Sequence, residues 1–431
     1  MCAALDKKKN EYVAIKKCKK IFHSRTMAKR ALREVRILRL LDHENVISLQ
    51  CVLHSMTDNT FTEMYVIFEI MQTDLAMIIR SSQVLCDTHV QCFVHQMLLG
   101  LQYLQDHQIV HRDIKPRNLL VNSNCQLKIA DFGLARVYSP DNENKIVAMT
   151  EYVTTRWYRA PEVIVGWHRY DYAVDMWAVG TIIAELLGRV PIFAGADSAK
   201  QLDLIIRTLG RPDEAFIELC RKPTHRKFLR QHVNVGQLAS LEKKYPHANP
   251  RAIALMSKLL IIDPAKRPTA SEALAFPWME PLNDGSSAMV LPFNEEDYRR
   301  EFAYEDKDMT SDELRKEMLS EMWYYDLKDK DYCRRSRGER LSDDARHLVS
   351  PEEKADSSSS VKGSKSSKKW CPGPAPAQPP APSPYRSLHT TGDLVRAGGD
   401  RRTSVAKPIK VTPIRASTTK PEEEPAKCFI L

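Results

Sequence analysis

The sequence predicts an α+β protein in which a small β-rich lobe precedes a larger helical lobe, with a coreless tail behind them. Three observations carry this. Strand-like runs lead up to about residue 70, helical periodicity dominates after Asp74, and large apolar residues thin out near residue 330. With 431 residues, 43% of them hydrophobic, the chain has ample material for a core of that size.

The elements follow in order. Tyr12-Val13-Ala14-Ile15 reads as a short β run. Residues 27–41 read as a helix, with Met27, Ala31, Leu32, Val35 and Leu38 on one face. Met64-Tyr65-Val66-Ile67-Phe68 reads as a buried strand. The junction near residues 70–73 puts a first lobe at 1–72 and a second at 73–326. Helical patterns at 90–105, 174–187, 200–209 and 250–260 fill the second lobe. Near its end, Thr310-x-x-Glu313 has the form of a capping box. Leu314, Met318 and Met322 follow at four-residue spacing, flanked by Leu319 and Trp323, and predict a packing helix. Residues 327–431 hold a serine and lysine tract at 356–369 and seven prolines between Pro372 and Pro384. Such a tail buries too little apolar surface to offset ordering entropy, so disorder with polyproline character is expected.

Composition narrows the function classes. The formal net charge is +9, but residues 331–431 carry +7 of it, so a basic nucleic-acid-binding domain is disfavoured. No apolar run is long enough to span a bilayer. Lys7, Lys8 and Lys9 have no apolar stretch behind them and do not read as a signal peptide. Ten cysteines without a C-x-x-C pair or metal-type spacing fit a reducing compartment, the cytosol or nucleus, with free thiols.

The chemistry is concentrated in His111-Arg112-Asp113-Ile114-Lys115-Pro116-Arg117-Asn118. Asp131-Phe132-Gly133 follows thirteen residues after Asn118, then Ala160-Pro161-Glu162 and Asp175-x-Trp177-x-x-Gly180. Upstream, Val13-Ala14-Ile15-Lys16 ends a strand, and Glu34 lies in the next helix. These six signatures, in this order, resemble the protein-kinase catalytic domain over about residues 2–326, which implies its two-lobed fold. Phosphoryl transfer needs mostly positioning and charge stabilisation. The resemblance makes Asp113 the acceptor of a substrate hydroxyl proton and Lys115 the group that neutralises the moving phosphoryl. Asn118 and Asp131 would present oxygen ligands to Mg²⁺, a hard cation. Lys16 would bind the α and β phosphates of ATP, held by Glu34. Glu69 and Met71 match hinge contacts to adenine, Asp74 a ribose contact, and Phe68 the bulky residue guarding the inner pocket.

A narrower resemblance rests on Thr150-Glu151-Tyr152 before Val153-Thr154-Thr155-Arg156-Trp157-Tyr158-Arg159. It is similar to the mitogen-activated protein kinases of the Thr-Glu-Tyr type, the extracellular-signal-regulated group, whose lobe insert fits residues 211–250. Membership implies proline-directed Ser/Thr phosphorylation and a monomer, switched on by an upstream dual-specificity kinase and off by phosphatases. Phosphates on Thr150 and Tyr152 add about three to four negative charges at pH 7, which order a loop only where guanidinium forks await them. The resemblance assigns Arg33, Arg112 and Arg136 to phospho-Thr150, and Arg156 and Arg159 to phospho-Tyr152. Ser350-Pro351, Ser383-Pro384 and Thr412-Pro413 in the tail are candidate self-phosphorylation sites.

Three departures from the pattern bear on function. No glycine-rich loop precedes Cys2, so the expectation is a chain shortened at its start, with an impaired kinase-fold scaffold or competitor as the alternative. The acidic docking site keeps Asp284 but has Ser287 at its second acidic position, and the neighbouring pair is the uncharged Ser123-Asn124. The acidic runs at Glu295, Glu296 and Asp297 and at Glu305, Asp306 and Asp308 read as solvated surface. The final Cys428-Phe429-Ile430-Leu431 fits a C-a-a-X prenylation signal, with leucine favouring geranylgeranyl. The expected location is cytoplasmic and nuclear, with membrane association if Cys428 is prenylated.

Overall fold

The lysine strand and its neighbours form a four-stranded antiparallel sheet. The structure, a computed structural model, describes residues 1–54, 61–138, 156–167, 171–231, 241–283 and 295–336, without the side chains of 295, 297 and 327–336. The sheet contains β1 (Cys2–Asp6), β2 (Glu11–Cys18), β3 (Leu49–His54) and β4 (Met64–Glu69), in the order β1-β2-β4-β3. Its register sets Lys16 opposite Val66, and Val13 opposite Glu69 at the lobe junction. In β4, Met64, Val66 and Phe68 are buried and alternate with half-buried Tyr65, Ile67 and Glu69, the two-residue period of a strand covered mainly on one face.

The helix covering that sheet is α1 (Arg25–Leu40). It starts before the apolar stripe because Ser24 caps it, its hydroxyl accepting from the Met27 amide at 3.2 Å. Met27, placed on the apolar face by periodicity, is instead 45% exposed in the first turn. Ala31, Leu32, Val35 and Leu38 are buried as expected, but so are Arg33, Glu34 and Arg36. A helix with three buried charges must find partners for each, and those partners organise the site described below.

The larger lobe opens with β5 (Thr73–Asp74), α2 (Leu75–Arg80), α3 (Asp87–Asp106) and β6 (Ile109–Val110). It continues through β7 (Leu119–Val121), β8 (Leu127–Ile129) and β9 (Arg136–Val137). Strands β5, β7 and β8 form one small antiparallel sheet, and β6 and β9 form another. Then come α4 (Pro161–Ile164), α5 (Ala173–Gly188), α6 (Ser198–Leu209), α7 (Glu214–Glu218), α8 (Pro223–Gln231), α9 (Leu241–Lys244), α10 (Pro250–Leu259) and α11 (Ala270–Leu274). Helix α5 is the buried spine of this lobe, with Trp177 in its second turn fully enclosed. Its Gly180 lets α10 approach closely, since a Cβ there would sit 2.9 Å from both Leu259 Cβ and Leu260 Cδ2. The lobes are pinned together at Asn45, whose carbonyl accepts from the Ile129 amide at 2.8 Å and whose side chain donates to the Leu127 carbonyl at 3.0 Å.

The chain then returns through α12 (Glu295–Phe302) to α13 (Ser311–Ser336). The expected capping box is present: the Thr310 amide donates to Glu313 at 2.7 Å, and the Glu313 amide donates to the Thr310 hydroxyl at 3.2 Å. Leu314, Met318 and Met322 are buried. On the same helix, Glu321 accepts from Arg36 of α1 at 2.8 Å, so this segment is bonded to the small lobe. The first compact unit, within the described residues, covers Met1–Met322; a second begins at Trp323, and of it only helical backbone to Ser336 and the side chains to Asp326 are described. Among the described residues, no helix is long and apolar enough to cross a membrane.

Candidate active site

Strand β2 and helix α1 bring Lys16 to Glu34. The lysine Nζ donates to Glu34 Oε1 at 2.7 Å and Oε2 at 3.0 Å. Asp131 Oδ1, from the loop after β8, lies 3.8 Å from the same nitrogen. Burial works against the ammonium, but the two carboxylates outweigh it and hold the Lys16 proton more tightly than usual. Burial likewise opposes ionisation of Asp131, yet Lys16, His111 and Lys115 together hold its carboxyl below the usual range. The result is a fixed ammonium flanked by two carboxylates: Asp131, about half exposed, and Glu34, whose own carboxyl is pushed up by burial against the pull of Lys16.

The loop between β6 and β7 carries the second group. Its start is held by Asp175, the acid of the Asp-x-Trp motif on α5, which accepts from the amides of His111 and Arg112, both at 2.8 Å. Those bonds stabilise Arg112 at φ 70°, left-handed backbone that costs a non-glycine residue of order 1–3 kcal/mol. His111 is fully buried; its Nδ1 accepts from the Asp113 amide at 3.2 Å, and its ring meets Phe132 edge-on at 4.9 Å. Asp113 Oδ2 takes Lys115 Nζ at 2.6 Å and Asn118 Nδ2 at 3.1 Å. Among the described residues, Oδ1 of Asp113 takes no hydrogen bond. The Asn118 amide also donates to the Asp113 carbonyl at 2.8 Å, so its nitrogen is used internally and its oxygen is left for an electrophile. Asp131 is itself at φ 70°, a second strained backbone in the same cleft.

Hard oxygen donors on Asn118 and Asp131 are the ligand type that Mg²⁺ takes, one or two from protein and the rest from phosphate and water. Among the described residues no cluster of three or more His, Cys, Asp or Glu could hold a metal ion.

At the junction, Glu69 is anchored through its carboxylate, which accepts from the Ser48 amide at 2.8 Å and lies 3.0 Å from Lys128 Nζ. Asp74 caps α2 by accepting from the Met77 amide at 2.9 Å. Met71 is half-buried between them, and Phe68 is buried.

The arginines divide. Arg33, Arg112 and Arg136 are electrostatic neighbours: burial and then Arg33 push the Arg136 guanidinium below its usual range, Arg112 adds to this, and Glu305 opposes it. Arg33 already holds a partner, donating to both oxygens of Glu305 at 2.6 and 2.7 Å. Glu305 is therefore not solvated surface, as its charge run suggested, and Asp308 of the same run pairs with Arg25. Arg159 lines a cleft with Arg112, Asp113 and Lys115, whereas Arg156 donates to the Ala196 carbonyl at 2.9 Å. Thr150, Tyr152, Asp284, Ser287 and Cys428 lie outside the described residues.

Sequence reasoning missed three supporting groups. Arg267 forms a wholly buried fork with Glu162, at 2.6 and 2.7 Å, and packs over Trp177. Tyr158 donates to Glu185 at 2.7 Å. Glu305 is the third. Tyr158 had a signal in the segment ending at Arg159 and Glu162 in its Ala-Pro-Glu motif, but no pattern pointed to their partners, and Glu305 read as surface.

Comparison with known proteins agrees with this geometry. The protein kinase domain profile matches residues 1–279. Mitogen-activated protein kinase 4 of Oryza sativa subsp. japonica is 44% identical over 325 residues, which cover 75% of this chain and 85% of the relative. Mitogen-activated protein kinase 3 of the same species is 47% identical over 286 residues, 66% of this chain and 75% of the relative. Extracellular signal-regulated kinase 1 of Dictyostelium discoideum is 43% identical over 329 residues, 76% of this chain and 60% of the relative. With the family's sheet and helical lobe in place and the lysine, glutamate and aspartate gathered in the cleft between them, this chain belongs to the protein kinases and, within them, is a serine/threonine kinase of the mitogen-activated type.

Proposed function

We propose that this kinase transfers the γ-phosphate of Mg·ATP to serine or threonine followed by proline, and that dual phosphorylation of Thr150 and Tyr152 by an upstream kinase activates it. The observation that carries the reading is the meeting of Lys16, Glu34 and Asp131 beside a loop that presents Asp113, Lys115 and Asn118.

Each side chain has a task in that reaction. Lys16, kept protonated and aimed by Glu34, binds the α and β phosphates. Asp113 Oδ1 accepts the proton of the substrate hydroxyl as the hydroxyl oxygen bonds to the γ-phosphorus and the bond from that phosphorus to the bridging oxygen of ADP breaks. Lys115, already 2.6 Å from Asp113, offsets charge on the transferring group and fixes the carboxylate's orientation. Asn118 and Asp131 would hold Mg²⁺, which neutralises phosphate charge when bound. Arg33, Arg112 and Arg136, neighbours through Arg136, are the guanidiniums assigned to phospho-Thr150, and Arg159 borders the substrate cleft.

The test is transfer of labelled γ-phosphate to a Ser-Pro peptide by the full chain phosphorylated on Thr150 and Tyr152, with Asp113→Asn as control. Transfer is expected to fall by about a hundredfold to ten-thousandfold in the variant. Transfer that is equal in both, or absent from a folded and phosphorylated wild type, overturns the reading in favour of a kinase-fold scaffold. Thr150→Ala with Tyr152→Phe should lose the activated rate; unchanged activity there removes the switch alone.

A further inference from the structure

Arg33 precedes Glu34 on α1, so whatever fixes Arg33 also fixes the residue that aims Lys16. The Arg33 side chain is 3% exposed and makes three bonds. Its Nε and Nη2 donate to the two oxygens of Glu305, and its Nη1 donates to the Gly133 carbonyl at 2.7 Å. One guanidinium thus joins α1, the Asp131-Phe132-Gly133 segment and the stretch before α13. Glu305 is itself held in place. Lys29, one turn earlier on α1, donates to the carbonyls of Glu305 at 2.9 Å and Lys307 at 2.7 Å. The adjacent Tyr304 is buried with the Arg36 guanidinium 4.9 Å over its ring.

We infer that Glu305 is a positioning residue that occupies, from within the chain, the guanidinium site expected to receive phospho-Thr150, and so seats the helix of Glu34 without phosphorylation. The inference rests on the proposed assignment of that site to phospho-Thr150. The bidentate carboxylate on Arg33 has the geometry a phosphate would adopt there. A guanidinium as buried as Arg33 needs such a partner before the phosphate arrives. A phosphate, carrying about −1.5 to −2, has a stronger claim on the Arg33 fork than a carboxylate of charge −1. Phosphorylation then replaces an internal anion rather than filling a vacant site.

The test crosses Glu305→Gln with phosphorylation state in the full chain. In the unphosphorylated kinase, kcat is expected to drop by about tenfold or more while the peptide KM moves less than about twofold, since a doubly bonded buried partner is lost. In the doubly phosphorylated kinase the loss should be under about twofold, because phosphate takes the fork. Glu305→Asp should recover part of the basal rate. Amide hydrogen exchange along residues 25–40 gives a readout independent of activity: faster in unphosphorylated Glu305→Gln, and restored by phosphorylation. Equal losses in both states would make Glu305 an ordinary packing residue and overturn the inference, as would unchanged exchange and rate in the unphosphorylated variant. If phosphorylation alters neither rate nor exchange in the wild type, the assignment of the site to phospho-Thr150 fails, while an effect of Glu305→Gln on the basal state would still stand.

Discussion

Two carboxylate–cation pairs in this kinase look alike on paper and live in different surroundings. Lys16–Glu34 closes at 2.7 Å with the lysine side chain 30% exposed at the mouth of a cleft. Glu162–Arg267 closes at 2.6 Å with side chains 1% and 0% exposed. The second pair has every donor accounted for: Arg267 also gives hydrogen bonds to the carbonyls of Ile261, Ile262 and Ala173. It ties the start of α4 to α5 and to the turn after α10, and no ligand can enter. The first pair has Asp131 3.8 Å from its lysine, on the side where the proposed function puts the phosphates. Burial without an opening makes a strut; burial with one makes a binding group.

The sharpest way to break that contrast is to cut each pair from its cationic side. Arg267→Met leaves the Glu162 carboxylate buried and unpaired, which costs about 3–5 kcal/mol. The expected outcome is a large fall in the denaturation midpoint, and activity at low temperature that survives in whatever fraction stays folded. Chemical denaturation followed by fluorescence measures it. A loss under 1 kcal/mol would mean water reaches this pair and the strut description is wrong.

Lys16→Met is the counterpart. Removing one preorganised charge from the transferring phosphates should cost about a hundredfold to a thousandfold in kcat, while the denaturation midpoint, lowered because Glu34 loses its cation, should fall less than in Arg267→Met, since Lys16 is 30% exposed. Its check is the same peptide assay run beside the same denaturation curve. If the variant unfolds as readily as Arg267→Met, the two pairs do one job and the comparison collapses.

What could be read in the sequence follows the same divide. Lys115 and Asn118 reach Asp113 across two and five residues of one loop, so spacing alone brought them together. Strand β4 and α1 were legible because alternation and helical period record which face is buried. The partners of the buried charges were not legible. Arg267 lies 105 residues from Glu162, and Glu305 lies 272 residues from Arg33. Asp306 and Asp308 are exposed, as their charge run suggested, but Glu305 of the same run looked like hydrated surface until the fold laid Arg33 of α1 against it. Met27 failed at the start of α1, where it lies in the first turn and is 45% exposed.

The mildest prediction concerns how closed the inner end of β2 is. Cys18 lies two residues from Lys16, on the same face of the strand. Burial is the main influence on its thiol and raises it to about 11; the Lys16 charge pulls the other way, and Glu34 and Asp131 push further up. The thiolate is the reactive form, so only about one molecule in a thousand is primed at pH 8. Alkylation of Cys18 by iodoacetamide should therefore be slow at pH 8 and speed up roughly tenfold per pH unit to pH 10, as read by peptide mapping. Lys16→Met removes the one charge that favours the thiolate, so the variant should react still more slowly at each pH. A fast reaction at pH 8, insensitive to Lys16, would place solvent along the whole inner face of the strand. The lysine would then be a surface cation paired by chance, and the difference between the open pair and the closed one would shrink to a matter of a few ångströms of cover.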